Sequence, residues 1–406
     1  MIYDGVVIGG GPAGMFAAII AAQQGSKVLI LEKMDRLGRK LLITGKGRCN
    51  VTNNCTAAEV LENIPRNSRF LYSALDRFPP QKVVEYFENS GCPLKTERGN
   101  RVFPVSDKSA SILDCLKKDL QRYKVSIRNE AAKEIVTCDG MITGVRTASN
   151  LYDCKWVILA TGGKSYPATG STGEGYRMAA ELGHTIVPTE GSLVPLEVLG
   201  TECVQMQGLS LRNVGVKLLD KKGKALYKDF GELLFTHFGV SGPTVLSASA
   251  HLKGENCKLV IDLKPALDEG KLNDRILRDL EQYQNRTMEN AMTDLLPRSM
   301  IPVVLDKAGI DSQLQANSLK KEQRRNLVQI LKAFPLEIMG KRPVEEAIIT
   351  SGGIKTGEID PKTMQSKLVE GLFFAGEVID CDAYTGGFNL QIAWATAYAA
   401  GMSVKT

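Results

Sequence analysis

Histidine is scarce in this sequence, and cysteine occurs without a ligand pattern. The 406 residues include only three histidines, His184, His237 and His251, which lie far apart. Nine cysteines are scattered without a C-x-x-C pair or metal-ligand spacing. Because structural zinc sites need four closely spaced Cys or His ligands, we predict no metal site. An odd number of unpatterned thiols is typical of a reducing compartment, so we expect a cytoplasmic protein.

Long apolar runs and concentrated positive charge are also missing. No run of about 20 apolar residues is present, so we predict no membrane span. The N-terminus leads directly into a strand without a basic segment or cleavage site, and we expect no signal peptide. The net charge of +6 is spread along the chain, and the nearest basic run, residues 320–325, includes a glutamate. We therefore expect neither a nucleic-acid partner nor a membrane partner.

What the chain does have is a glycine-rich fingerprint near its N-terminus. An apolar strand leads into Gly9, Gly11 and Gly14 at G-x-G-x-x-G spacing, and a helix follows. The first glycine allows a tight turn, the second lets a pyrophosphate approach the backbone, and the third lets helix pack on strand. Glu32 ends the next strand, where its carboxylate can accept from ribose hydroxyls. The pattern predicts a dinucleotide-binding unit, with a structural turn of another α/β protein as the alternative.

A second dense motif covers residues 38–53. Glycines, basic residues and small polar donors crowd this stretch, which fits neither a regular amphipathic helix nor a strand. Glycines let a loop pass close to a ligand, and Arg39, Lys40, Lys46 and Arg48 offer cationic donors for phosphate or flavin oxygens. A solvated basic loop is the alternative. We favour ligand contact because the motif directly follows the nucleotide-binding unit.

The pattern of apolar and polar residues changes along the middle of the chain. Residues 155–163 have the pattern of a buried strand that ends in small residues, which allows close approach of a dinucleotide. After residue 188, short alternating segments separated by turns predict a small β-barrel or sandwich. Residues 268–332 become helical and polar, which indicates a helical insertion.

The C-terminal stretch repeats the order of elements of the N-terminal unit, a buried strand followed by a glycine-containing loop and a helix. A buried strand ends in Gly376 and Glu377, and after a loop Gly387 precedes an alanine-rich helix over residues 392–401. The N-terminus of such a helix offers N–H donors and a positive dipole end, suited to negative charge on a reduced flavin ring. The acid at the strand end can accept from ribitol hydroxyls. Core packing is the alternative for the helix alone, but the repeated array favours a cofactor site.

Together these motifs resemble those of the BaiN/YhiN-like FAD flavoproteins, which include 3-dehydro-bile-acid reductase-like and aminoacetone oxidase-like proteins. The resemblance covers essentially the whole chain, and beyond the fingerprint it rests on residues 38–53, 160–167, 235–243, 350–354 and 375–391. It implies an α/β fold with a glutathione-reductase-like, Rossmann-type FAD-binding domain, an inserted β-barrel-like domain and a nested helical domain. The implied boundaries are 1–188 and 351–406, 189–267 and 333–350, and 268–332, respectively.

The resemblance also assigns residues to the cofactor, FAD, which we expect to be bound non-covalently. Gly11, Ala13 and Gly14 would lie at the pyrophosphate, Glu32 at the adenosine ribose and Ala132 at the adenine. The other residues expected at the cofactor are Gly9, Pro12, Lys33, Gly38, Arg39, Lys40, Thr44, Gly45, Gly47, Arg48, Cys49, Asn50, Ala160, Thr161, Gly162, Gly376, Glu377, Gly387, Asn389, Leu390 and Gln391.

Catalytic side chains are not evident from the pattern. His237 and Tyr384 lie in loops that could face the flavin, with a hydrogen-bonded structural role and aromatic packing as the alternatives. Cys49 lacks a resolving partner, which favours packing near the cofactor over redox chemistry. Only one dinucleotide fingerprint is present. A donor such as NAD(P)H must then bind transiently or in an atypical way.

Two classes of function follow. The first is a FAD-dependent oxidoreductase that moves a hydride between flavin and a small organic substrate. It would act either as an enone reductase fed by NAD(P)H or as an aminoacetone oxidase-like amine oxidase that uses O2. The second is a flavin-containing binding or sensor protein whose inserted domains bind RNA or a protein. We favour the enzyme because cofactor motifs occur at both ends of the chain. The oligomeric state is left open.

Overall fold

The computed structural model describes residues 3–252, 254 and 256–405. It divides into two compact units, one formed by Met1–Ser192 with Val344–Thr406 and the other by Leu193–Pro343. Each unit has its own hydrophobic core.

Strands and helices are interspersed along the chain, with runs of strands over residues 126–159 and 210–241 and a run of helices over residues 269–332. The strands are β1 Gly5–Ile8, β2 Val28–Leu31, β3 Thr52–Asn53, β4 Leu94–Glu97, β5 Arg101–Pro104, β6 Ser126–Arg128, β7 Glu134–Cys138, β8 Met141–Arg146, β9 Leu151–Asp153, β10 Trp156–Leu159, β11 Ile186–Ser192, β12 Leu196–Val198, β13 Ser210–Leu219, β14 Ala225–Phe235, β15 Gly239–Ser241, β16 Cys257–Asp262, β17 Phe334–Lys341, β18 Ile349–Ile354 and β19 Leu372–Phe374. The helices are α1 Pro12–Gln23, α2 Arg39–Ile43, α3 Ala57–Glu62, α4 Tyr72–Arg77, α5 Pro80–Asn89, α6 Ser109–Arg122, α7 Glu174–Glu181, α8 Glu202–Gln205, α9 Pro243–Ser249, α10 Glu269–Gln282, α11 Met288–Ala291, α12 Ile301–Lys307, α13 Lys321–Lys332 and α14 Phe388–Ser403.

A five-stranded parallel sheet forms the centre of the first unit, in the order β19-β10-β1-β2-β6. Every residue of β1 and β2 is buried, which is the pattern of strands covered on both faces. β19 pairs with β10 in parallel, with Val157 opposite Leu372. The two ends of the chain therefore build one Rossmann-type sheet, and the fold class expected from the sequence is confirmed.

Helices α1 and α14 pack closely against each other. A Cβ atom on Gly401 would lie 2.8 Å from the Ala17 carbonyl oxygen and from Ile20 Cβ, so only glycine fits at this crossing. Nearer the start of α14, the Trp394 ring packs edge to face against Phe16, with 5.7 Å between the ring centres. The Trp394 Nε1 donates to the Val51 carbonyl at 2.9 Å. The C-terminal helix is thereby fixed against the N-terminal fingerprint helix.

Two local expectations in this unit need correction. Residues 38–53 are not entirely irregular, because α2 and a 3-10 turn, Thr44–Gly47, begin the stretch. A helix of five residues is too short to show its period in sequence. In addition, residues 344–350 group with the first unit and not with the barrel, because β18 pairs antiparallel with β11, Thr350 opposite Gly191.

The second unit contains the expected barrel, closed in the order β12-β15-β14-β13-β16-β17. Val214, Val216 and Leu218 of β13 are buried while Lys217 between them is exposed, as strand alternation requires. β14 runs unbroken through a glycine, Gly231. Its Gly231 lies where a Cβ would come within 3.1 Å of Thr244 Cγ2, so this glycine reflects close packing of α9 rather than a break.

Helices α10 to α13 share one hydrophobic core with the barrel. A helical domain separate from the barrel therefore stays a prediction. Through the described part of the chain, no helix is both long and apolar enough to cross a membrane.

Candidate cofactor site

A cavity opens in the first unit at the carboxyl ends of the parallel strands. Its empty space, counted together with the solvent at its open mouth, is about 1360 Å3. Ligands of open α/β sheets bind at this edge. Ile8, Leu31, Ala160 and Ala375, which end or follow β1, β2, β10 and β19, all line it. The predicted cofactor residues that line it are Gly9, Gly11, Pro12, Ala13, Glu32, Lys33, Gly38, Arg39, Lys40, Thr44, Ala132, Ala160, Thr161, Gly162, Gly376, Glu377, Asn389 and Leu390.

The three fingerprint glycines have different surroundings. Gly9 has a φ of +107°, and a Cβ there would lie 2.5 Å from the Ala160 carbonyl oxygen. A Cβ on Gly14 would lie 1.9 Å from the Gly9 carbonyl oxygen, so the helix can approach the turn only without a side chain. A Cβ on Gly11 would meet no atom within 4 Å. Gly9 and Gly14 are thus required by the fold, whereas Gly11 leaves space on the cavity side.

The N-terminus of α1 faces the same end of the site. Gly11 is its N-cap residue, Pro12 is its first residue, and no described side chain caps it. The N–H groups of a first helical turn have no partner within the helix and, with the helix dipole, attract an anion. These features fit the pyrophosphate of a dinucleotide.

Glu32 is held in place by two backbone donors. Gly10 N–H donates to Oε2 at 2.7 Å, and Met34 N–H donates to Oε1 at 2.8 Å. A carboxylate offers about four acceptor positions, so the group can still accept from ribose hydroxyls. Glu32, which was predicted from spacing alone, is therefore oriented by the backbone N–H groups of Gly10, in the glycine-rich turn, and of Met34.

A polar network lies at another part of the cavity wall. Lys40 Nζ donates to Glu377 Oε2 at 2.7 Å and to Ser165 Oγ at 2.7 Å. Glu377 Oε1 accepts from Thr350 N–H at 2.9 Å and from Ser165 Oγ at 3.0 Å. The Lys40 and Glu377 side chains are only 20% and 13% exposed. This ion pair joins the basic motif of residues 38–53 to the C-terminal strand end.

Sequence reasoning missed two parts of the wall. The first is the loop 169–174, where Lys33 Nζ bonds Glu174 Oε2 at 2.8 Å. The second is Glu130, which accepts from Thr147 Oγ1, the Asn150 amide and the Tyr152 hydroxyl. The bond from Thr147 holds the pKa of Glu130 below its usual value. Both parts depend on contacts between residues distant in sequence. The threonines and glycines of the loop 169–174 are nevertheless a sequence pattern that could have indicated a ligand-binding loop.

Several predicted cofactor residues do not line the cavity. Arg48 instead donates from Nε to Asp107 at 2.8 Å, also bonds Glu97, and lies 4.2 Å from the Phe103 ring centre. Cys49 is fully buried, and burial raises the pKa of its thiol to about 12, which fits packing rather than redox chemistry. The others away from the wall are Gly14, Gly45, Gly47, Asn50, Gly387 and Gln391.

Two of these residues have structural roles at the start of α14. Gln391 is fully buried; its Oε1 accepts from Thr52 Oγ1 at 2.6 Å, and its Nε2 donates to the Phe78 carbonyl at 2.8 Å. Gly387, with a φ of +100°, precedes α14, and a Cβ there would lie 2.4 Å from the Thr52 carbonyl. Both fix the first turn of this helix against β3.

The two candidate catalytic residues are not among the residues that line the cavity. His237 lies in the second unit, its ring edge to face with Phe238 at 4.9 Å. The backbone N–H of Tyr384 donates to the Asn63 carbonyl at 3.0 Å. Their catalytic role stays a prediction.

A buried pair of acids follows the Glu377 strand end. Asp382 accepts from Ser192 Oγ at 2.7 Å and from Ser351 Oγ at 2.9 Å. Asp380 Oδ2 accepts from Asn67 Nδ2 at 3.0 Å, and no described residue bonds its buried Oδ1. Burial raises the pKa of Asp380 above its usual value. Cys381 between them lines the cavity.

The wall therefore has features that fit FAD. Gly11 leaves room for a pyrophosphate, because a Cβ there would meet no atom within 4 Å. Thr161 lines the cavity, but its Oγ1 is buried on the side of Gly175, where a Cβ would lie 2.0 Å from it. Arg36 also lines the cavity and forms no ion pair with the described part of the chain, which leaves it available to an anionic ligand.

Comparison with known proteins agrees with this geometry. A sequence model of the family described as HI0933-like protein Rossmann domain matches residues 3–403. The chain is 32% identical to the 3-dehydro-bile acid delta(4,6)-reductase of Clostridium scindens, over 97% of each chain. It is 31% identical to the ribosomal RNA dihydrouridine synthase of Haemophilus influenzae, over 99% of this chain and 98% of the relative.

A solved structure shares the fold. The 3-ketosteroid-delta4-(5alpha)-dehydrogenase of Rhodococcus jostii RHA1, determined with 4-androstene-3,17-dione, superposes with a TM-score of 0.50 at 17% identity. The match covers 99% of this chain and 96% of that one. At this identity the likeness shows the fold alone.

Proposed function

Because this chain belongs to the HI0933-like Rossmann family of flavoprotein oxidoreductases, we propose that it reduces a carbon–carbon double bond conjugated to a carbonyl group. The observation that carries the proposal is the cavity at the sheet edge, with space at Gly11, the oriented Glu32 and the Lys40–Glu377 pair. The electron donor we propose is NADH or NADPH, and the cofactor is non-covalent FAD.

The names of the relatives support this choice of bond. A 3-dehydro-bile acid with a delta(4,6) system has its double bonds conjugated to the 3-carbonyl group. Dihydrouridine is uridine whose ring double bond, conjugated to a carbonyl, has been reduced. These two substrates differ in size and charge but share the reacting group, so the shared chemistry is what we carry to this chain.

Each part of the site has a task in this proposal. Bound FAD supplies the hydride that such a reduction requires. The α1 N-terminus with Gly11 binds the pyrophosphate, and Glu32 accepts from the ribose. Lys40 provides a positive charge at the wall, and Glu377, Ser165 and Thr350 hold it there. Fixed charges in a water-poor site stabilise developing charge better than mobile solvent does.

Two substrate classes remain as candidates. The first is a small enone compound, the class expected from the sequence. The second is uridine within ribosomal RNA, a class that the sequence, which has no long basic run, did not predict. The observation that favours it is the match at 31% identity over nearly the whole chain, together with a second relative of the same name, from Escherichia coli, at 30%.

The test is anaerobic turnover of FAD-loaded protein. NADH or NADPH is supplied with either 4-androstene-3,17-dione or a uridine-containing ribosomal RNA transcript, and products are analysed by mass spectrometry. The proposal expects one of these acceptors to gain two hydrogens while the nucleotide is oxidised.

Other outcomes would contradict the proposal. If no conjugated acceptor is reduced, but aminoacetone in air yields hydrogen peroxide, the protein is an amine oxidase. If the protein takes up no FAD, both enzyme forms fail, and a binding or sensor role without flavin chemistry becomes the better account.

A further inference from the structure

The outer face of the barrel hairpin β13–β14 carries unpaired positive charge. Lys217 on β13 lies directly opposite Lys228 on β14, and both are exposed. Lys221, Lys222 and Lys224 are exposed in the turn that joins the strands. We call Lys217, Lys221, Lys222, Lys224, Lys228 and Phe230 the basic hairpin face.

The acids of the hairpin neutralise this face only in part. Asp220 accepts from the backbone N–H groups of Lys222 and Lys224 within the turn. Asp229 alternates with Lys228 along the strand, so its side chain points to the opposite side, where it bonds Tyr227. Glu232, the one acid on the lysine side of β14, lies two residues beyond Phe230. Within the described ranges, none of the five lysines forms a salt bridge, whereas Lys258 on neighbouring β16 pairs with Glu337 at 2.7 Å.

Two features of the face are costly for the isolated protein. Like charges directly opposite in an antiparallel pair destabilise a sheet. Phe230, opposite Gly215 on the same side as the lysines, is 60% exposed. An anionic partner with stackable rings would compensate for both, because lysines contact phosphates and an aromatic face stacks on bases.

The charge distribution of the chain points the same way. Residues 193–343 contain 22 Lys and Arg against 18 Asp and Glu, so this unit carries +4 of the net charge of +6. The excess is therefore concentrated in the unit that contains the hairpin and not in the one with the FAD-sized cavity.

We propose that the basic hairpin face binds the phosphate backbone of single-stranded RNA, with Phe230 stacking on a base. The inference rests on the second substrate class proposed above, uridine in ribosomal RNA. It assigns the contact to sequence-independent electrostatics, so it predicts affinity and salt dependence and no base preference.

The test is fluorescence anisotropy of a labelled 20-nucleotide oligouridylate with FAD-loaded protein over a series of salt concentrations. The wild type should bind at low salt, with affinity that falls as salt rises. Lys221→Gln/Lys222→Gln/Lys224→Gln should weaken binding roughly tenfold or more. It should also lower the slope of log affinity against log salt by about one for each lysine that no longer binds a phosphate.

Lys217→Gln/Lys228→Gln gives a signature that a structural role would not. Removing the facing charges should leave the melting temperature equal or higher while RNA affinity falls. The matched control is Lys117→Gln/Lys118→Gln/Lys124→Gln, three exposed lysines of the first unit, which makes the same charge change away from the hairpin. It should retain most of the affinity.

The proposal is overturned if the wild type does not bind the RNA at low salt, if the hairpin variants bind as well as the wild type, or if the control loses as much affinity as the turn variant. These outcomes are independent of catalysis. If RNA is bound through the hairpin but no uridine is reduced, the proposed activity on RNA fails and the docking surface stands. If androstenedione is reduced and RNA is not bound, the proposed reduction stands for a small enone and the docking surface fails.

Discussion

The cofactor site of the first unit and the hairpin face of the second unit depend on different features of the chain. At the cofactor site, a Cβ on Gly14 would lie 1.9 Å from a backbone oxygen, and Gly11 borders open space. Close-packed glycines such as Gly239 also occur in the barrel, but the distinctive feature of the hairpin β13–β14 is the charge on its outer face. A cofactor site thus constrains backbone geometry, whereas an electrostatic docking surface constrains only side chains.

We expect the largest effects from substitutions of the fingerprint glycines, because one should lower stability and the other should lower FAD affinity. Gly14→Ala places a methyl group 1.9 Å from a backbone oxygen, and we expect loss of several kcal/mol of stability with poor folding. Gly11→Ala meets no protein atom, so the apo-protein should keep its melting temperature while the Kd for FAD rises roughly 10- to 100-fold, about 1.4 to 2.8 kcal/mol. Melting curves and FAD titrations distinguish the two.

A glycine of the second unit provides the control. Gly223, in the hairpin turn, has a φ of +78° and no atom near its would-be Cβ. Gly223→Ala should cost roughly 1 kcal/mol through the left-handed backbone and leave FAD affinity unchanged. If Gly11→Ala lowers stability but not FAD affinity, the pyrophosphate does not lie at this turn.

A smaller effect should come from two basic residues that the sequence treated alike. Lys40→Met removes the partner of the mostly buried Glu377 carboxylate, and should cost about 1–3 kcal/mol and weaken FAD binding. Arg48→Met removes a solvent-screened surface network with Glu97 and Asp107, and should lower the melting temperature less than Lys40→Met does, with the FAD Kd unchanged. Equal losses of FAD affinity would restore Arg48 as a cofactor contact.

The buried Asp380 should give a pH-dependent effect. Because burial raises its pKa in the folded state, its contribution is fully present below the unfolded pKa and is lost as pH rises through the folded pKa. The free energy of unfolding of Asp380→Asn, measured relative to the wild type by urea denaturation, should therefore increase between pH 4 and pH 7. Asp139→Asn, at an exposed turn, should show no such trend; a flat profile for both would contradict the burial argument.

The last prediction, which needs no substitution, compares the reactivity of cysteine thiols in the two units. Burial raises the pKa of Cys49 and Cys154 in the first unit and of Cys203 in the second to about 12. With Ellman's reagent at pH 8, the native protein should react rapidly at the exposed Cys138 alone, against nine thiols after denaturation. Early reaction of Cys203 would show that the second unit opens before the first.

Sequence alone predicted those parts of the site that short-range patterns encode. Gly9, Gly11, Gly14 and Glu32 follow from spacing, because a turn, a close approach and a strand end each restrict the residue type locally. Alternation predicted a small β-barrel or sandwich, and the structure has a closed barrel. These features need no knowledge of distant contacts.

Other features depended on pairings between distant segments. Arg48 is a basic residue within a glycine-rich motif, as expected of a ligand contact, yet it bonds Glu97 and Asp107 and does not line the cavity. β18 joins the first unit because of its ladder with β11, which no local pattern shows. Glu130 lines the cavity because Thr147, Asn150 and Tyr152 hold it there. Local sequence does not encode such pairings.

The most direct test of the proposed reduction is a single turnover without oxygen or nucleotide. FAD-loaded protein is reduced photochemically under argon and mixed with 4-androstene-3,17-dione or with the uridine-containing transcript, and the flavin absorbance is followed. We expect one acceptor to restore the oxidised spectrum and gain two hydrogens, and Gly11→Ala, which retains little FAD, to do so in proportion to its bound flavin. A flavin that stays reduced with both acceptors would contradict the proposed reduction.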